Sequence, residues 1–145
     1  MPAYNKIEDF VQQILSGVHT FTGAGDVFNI FLSNEQPLVG DTIKTDIAEI
    51  SAGNGYTAGG EDTQNTLAES SGTATVTGTQ VVWTASGGTI GPFQFVVLFN
   101  QTASSPLDAL VAWWDHGSAV TLADGETYTV KFNNSSTTGT IFTLA

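Results

Sequence analysis

Only two imidazoles, His19 and His116, are available for acid–base or metal chemistry. His116 follows Asp115 and precedes Ser118 by two residues, so a base, an orienting carboxylate and a hydroxyl fall close together. A nucleophilic relay needs these groups to converge in space, whereas neighbours on a strand point to opposite faces. The Gly-x-Ser-x-Gly elbow is missing as well. The segment therefore reads as a turn at a strand end, and no catalytic residue is assigned. His19, between Val18 and Thr20, reads as a packed or capping histidine. No His-x-x-x-His pair, spaced carboxylate run or calcium-loop pattern occurs, so no metal site is expected. Gly53 to Ala58 matches Gly-x-Gly-x-x-Ala, a weak dinucleotide fingerprint. Glycines and Glu61-Asp62 follow where a helix N-terminus should receive the pyrophosphate, so a loop is expected there and no cofactor. Asp108, Asp115, Asp124 and Glu126 mark no pair of the glycosidase kind.

Charge removes further classes of function. The 145 residues include 14 acidic and 3 basic side chains, a net charge of −11, and the cations are Lys6, Lys44 and Lys131. A phosphate backbone is held by Lys and Arg that displace its counterions, so no nucleic-acid partner is expected. No apolar run reaches the roughly 18 residues of a membrane helix, and Met1 to Lys6 lacks the apolar core of a secretory signal. The absence of cysteine excludes disulfides, a thiolate nucleophile and Cys-ligated metals.

The aromatic residues offer contact rather than bond chemistry. On a strand, Trp113-Trp114 sends one ring to each face. An outward ring near Tyr56 would serve as an interface anchor or stack on a sugar. The competing reading buries both, one in the sheet core and one beneath the N-terminal helix. The sequence leaves the two open.

These residues need a scaffold, and the pattern predicts a single β-rich domain over 1–145. Residues 1–6 form an arm, 6–16 a helix, and 26–145 strands and loops. Ile7, Phe10, Val11, Ile14 and Leu15 make one helical stripe, with Asn5 as N-cap, Glu8 completing a capping box and Gly17 ending it. Val27–Leu32 reads as a well-buried strand, and Phe93–Phe99, apolar on both faces except for Gln94, as a central one. Ile43–Ile50 fits either a helical turn or a short strand. Thr73–Ala85 reads as a long strand or a hairpin broken at Gly78. Leu107–Trp114 is ended by Asp115–Ser118, and Val120–Phe132 carries a hairpin signature around Ala123–Glu126. Seven or eight short strands with frequent turns predict a compact antiparallel β-sandwich or barrel with one short N-terminal α-helix.

Three segments carry a resemblance: Glu49–Gly60, Trp83–Phe99 with Gly91-Pro92-Phe93 at its centre, and Ala112–Ser118 running into Leu122–Glu126. They resemble a set of small structural proteins of tailed bacteriophages, and the likeness spans most of the chain. It implies a non-enzymatic virion component made in the bacterial cytoplasm. The expected role is a head decoration (cement) protein bound to the major capsid protein; a tail, fibre or receptor-binding component is the alternative. Strands poor in long charged side chains lose little side-chain entropy on assembly, and edges poor in lysine lack the usual protection against pairing. Coverage by neighbouring subunits in a trimer or ring is therefore expected. Tyr4 in the arm, Tyr56, Trp113, Trp114, and Phe142 in the last strand are the expected interface residues.

Overall fold

The computed structural model describes residues 2–135 and 137–145; Met1, at the head of the predicted arm, lies outside them. The fold is mainly β, with antiparallel sheets and one short helix, and it is not a closed barrel. Its strands are β1 (Asn5–Lys6), β2 (Phe28–Ser33), β3 (Glu61–Asp62), β4 (Thr66–Ser70), β5 (Thr73–Thr79), β6 (Val81–Thr84), β7 (Ile90–Asn100), β8 (Leu110–Leu122), β9 (Thr127–Val130) and β10 (Thr138–Leu144). Helix α1 spans Phe10–Leu15. The sheets have the orders β1-β8-β7-β2-β3, β10-β5-β4 and β6-β9.

The five-stranded sheet is the spine. β7 lies at its centre, as its doubly apolar sequence predicts, and all six residues of β2 are buried. Phe28, Ile30 and Leu32 share one face with Val96, Leu98 and Trp114, as the register requires. That face meets the three-stranded sheet through aromatic rings. Phe21 stacks on Phe28 at 4.2 Å and meets Phe142 of β10 edge-on at 5.1 Å, while Trp114 meets Phe132 at 5.8 Å. Phe31 and Phe99, on the opposite face, lie under the Lys44 ammonium at 4.9 and 5.7 Å.

Several expectations are corrected. The helix is shorter than 6–16 because residues 5–7 are captured as sheet. Asn5 pairs with Trp113, Lys6 with Ala112, and the Ile7 N–H donates to the Val111 carbonyl at 3.0 Å. Asn5 is therefore no N-cap; Asp9 holds that position, its carboxylate accepting from Gln13 Nε2 at 2.8 Å and capping no backbone N–H. Gly17 does end the helix. With φ at +77°, its N–H bonds to Ile14 O while that of Val18 bonds to Gln13 O. Asp115–Ser118 interrupts the ladder without ending the strand. β8 continues to Leu122, but its register on β7 jumps from Phe95–Asp115 to Phe93–Val120, so 116–119 bulge out. Gly117 has φ at +96°, and Asp115 accepts from Gln94 Nε2 at 2.9 Å and from the Gly117 N–H at 2.7 Å. The Ala123–Glu126 turn exists but joins different sheets, β8 pairing with β7 and β9 with β6. Thr73–Ala85 is likewise two strands in two sheets. Ile43–Ile50 holds a 3₁₀ turn at Lys44–Asp46, pinned by the Asp46 carboxylate on the N–H groups of Thr42 and Ile43. The described residues contain ten strands, more than the seven or eight expected, because β1 and β3 are two residues long and β4 carries almost no apolar signal.

Candidate interaction surface

The expected interface residues divide. Tyr56 is 3% exposed and works as an internal tie. It sits in a tight turn in which Asn54 and Gly55 both have positive φ and Gly53 and Tyr56 exchange backbone bonds. Its hydroxyl accepts the Leu32 N–H at 3.0 Å and donates to Glu49 Oε1 at 2.7 Å. Glu49 also accepts the Gly59 N–H and pairs with Lys44 at 2.5 Å, fastening the 42–60 connection over the spine. Trp114, also 3% exposed, is core. Neither ring presents a face to a partner, which corrects their placement at an interface; alternation sends Trp114 inward against the second layer. Trp113 is half-buried on the other face, edge-on to Phe95 at 5.9 Å. Tyr4 and Phe142 are half-buried, and Tyr4 bridges to both rings: it lies 5.8 Å from the Trp114 ring and 6.1 Å from that of Phe142. Burial pushes the Tyr4 phenol up to about 12. Tyr4, Trp114 and Phe142 thus form one cluster, with Trp113 and Tyr56 elsewhere.

Part of the exposed apolar surface, besides Leu38, Val39 and Leu107 in the connections, lies along the helix and the second sheet. α1 has under two turns and splits its stripe. Phe10 is buried and Ile14 half-buried, while Val11 and Leu15, one step round the helix, face out; Leu15 is 84% exposed. Beside the helix the two layers part. Leu67 of β4, Val76 of β5 and Phe142 of β10 are register partners on one face, with Ala74 and Leu144 in the next row. This row floors a groove of about 290 Å³, walled by Ile14, His19 and Phe21. At its rim Leu67 is exposed and Leu144 is 58% exposed. Next to the groove, β4 bonds only to β5, and all five of its residues are exposed. The five-stranded sheet ends instead in the two-residue strands β1 and β3. The period-two pairing of Leu67 with Val76 was the available signal, but Thr66–Ser70 has too few apolar residues to show it.

A buried polar knot anchors the groove wall. Asn100 Oδ1 accepts the N–H groups of Thr102 and Ala103, which fixes the amide orientation. Its Nδ2 then lies 2.7 Å from Asp26 Oδ2 and 3.1 Å from His19 Nδ1. His19 Nδ1 is therefore an acceptor, and the proton sits on Nε2, which is buried without a hydrogen-bond partner. Desolvation lowers the His19 pKa to about 4, opposed by the charges of Asp26 and Asp9. His19 is thus packed, as the sequence suggests, among the rings of Phe10, Phe21 and Phe28.

The Asp115, His116 and Ser118 side chains form no relay. Asp115 is held by Gln94, and His116 Nδ1 lies 3.5 Å from the Tyr128 hydroxyl. Among the described residues, no group of three or more His, Asp or Glu could hold a metal ion, and no helix is long and apolar enough to cross a membrane. Comparison of the chain with protein-family models, curated proteins and solved structures finds no match.

Proposed function

We propose that this chain is a non-enzymatic virion subunit that assembles on the outside of a tailed-phage capsid and stabilises it. The observation that carries the reading is the uncovered apolar groove, rimmed by the exposed Leu67 and Leu144, beside the open edge of β4. Apolar surface gathered next to a free strand is the arrangement that a neighbouring chain covers with favourable burial and backbone pairing. The absence of arginine and the scarcity of lysine fit a partner that is protein rather than nucleic acid. The likeness of Glu49–Gly60, Trp83–Phe99 and Ala112–Glu126 to phage structural proteins supplies the partner class, the major capsid protein.

The test mixes the purified chain with empty capsids and follows co-sedimentation and heat resistance of the shell. Binding at high copy with a raised shell melting temperature is expected, and Leu67→Asp with Leu144→Asp, at the exposed rim, should remove both while leaving the fold intact. A chain that stays monomeric, ignores capsids or turns over a small molecule overturns the reading. A few copies confined to the tail would place it there instead.

A further inference from the structure

Another concave feature lies away from the apolar groove and has a different character. Between β8, β9 and the turn at 132–134 is a cleft of about 210 Å³, floored by Val96, Trp114 and Val130 and walled by His116, Tyr128 and Lys131. Its charge is anomalous for this protein. The chain carries −11, yet no Asp or Glu lines the cleft. The acidic residues nearest along the chain are engaged elsewhere: Asp115 by Gln94 and Gly117, Asp124 by the Gly87 N–H, and Glu126 by the Ala123 N–H. Of the other two lysines, Lys44 is paired with Glu49 and Lys6 shares its groove with Glu8. Lys131 is thus the one lysine in a concave site free of carboxylates among the described residues.

The remaining walls supply donors in fixed positions. The Tyr128 ring is held edge-on against Phe93 at 4.8 Å. Its hydroxyl stands 3.5 Å from His116 Nδ1, too far for a strong bond, so both groups keep capacity for a ligand oxygen. Burial raises the Tyr128 pKa, so the phenol remains a donor at neutral pH. The volume lies below the roughly 300–1,000 Å³ of drug-sized sites, which excludes nucleotides and suits a single ring or short chain.

We propose that this cleft binds a compact carboxylate of sugar-acid size, with Lys131 matching the carboxylate, His116 and the Tyr128 hydroxyl meeting its oxygens, and the half-buried Tyr128 ring and Thr129 against the carbon skeleton. The inference does not depend on capsid binding. It is tested by titrating the full chain with glucuronate, glucose and inorganic phosphate while following backbone amide shifts. Glucuronate should shift the amides of 114–116 and 128–131 saturably, while glucose and phosphate should not. Lys131→Gln should weaken glucuronate roughly tenfold or more, the loss of one charge-assisted contact, with an unchanged melting temperature. No saturable shift with glucuronate overturns the proposal. So does undiminished binding by Lys131→Gln, or equal competition by phosphate, which would reduce the cleft to a generic anion site.

Discussion

Asn100, at the end of β7, directs its side-chain amide at Asp26 and His19, joining the strand to a loop more than seventy residues earlier in the chain. The amide cannot turn over, because its oxygen is fixed by two backbone N–H groups. Protonating His19 would set one donor against another, in a site already poor in solvent.

Stability should therefore depend on pH through this residue. Its pKa is about 4 in the folded chain and about 6.5 when unfolded, so the unfolded state binds the extra proton between those values. Stability is full above pH 6.5 and falls as pH drops towards 4. Between pH 7 and pH 5, His19 should remove about 2 kcal/mol. Urea unfolding at the two pH values measures this, and His19→Gln, which keeps an acceptor for Asn100, should flatten the difference.

Trp114 and Trp113 should respond differently to truncation. Trp114→Ala empties a core position and should cost about 3–5 kcal/mol, lowering the melting temperature by roughly 10 °C or more. Trp113→Ala should cost clearly less, since that ring is half-buried at the surface of the spine. Equal losses in thermal unfolding would contradict these placements.

The tie at Tyr56 gives a third expectation. Tyr56→Phe leaves the Leu32 N–H without its side-chain acceptor and removes one of the donors to Glu49, for a loss of about 1–3 kcal/mol. Exchange of the Leu32 amide should accelerate more than that of amides at the far end of β2.

Lys44 and Glu49 should prove coupled. Lys44→Met strands a largely buried carboxylate and should destabilise by about 2 kcal/mol, while Lys44→Met with Glu49→Gln should recover part of the loss. A double-mutant cycle read by denaturant midpoints checks this, and strict additivity would contradict it.

The fold class was legible because its signals are local and repeated. The doubly apolar run at Phe93–Phe99 identifies the central strand, and Gly17 marks the helix end without tertiary information. The failures arise where long-range pairing decides. Asn5 and Lys6 look like a helix start, and only the facing Ala112 and Trp113 make them a strand. Asp115–Ser118 looks like a strand end and is a bulge, and only the facing Phe93, which pairs with Val120, lets β8 resume beyond it. Burial of Tyr56 and Trp114 was illegible for the same reason. Strand alternation says that adjacent tryptophans face opposite ways, but which way is set by the ring cluster of Tyr4, Phe132 and Phe142. The groove was missed because its rim is assembled from three distant segments.

The two outer strands of the smaller sheet run in the same direction, since both are antiparallel to the strand between them. A head-to-tail neighbour that lays its β10 against β4 must form a parallel ladder, slightly weaker per residue than the antiparallel kind. A two-fold axis normal to the sheet joins β4 to β4 in antiparallel fashion and closes after two copies. Strand polarity thus couples backbone pairing to copy number: rings built through these edges accept the weaker ladder, or draw their cohesion from side chains such as Leu15 and Leu144.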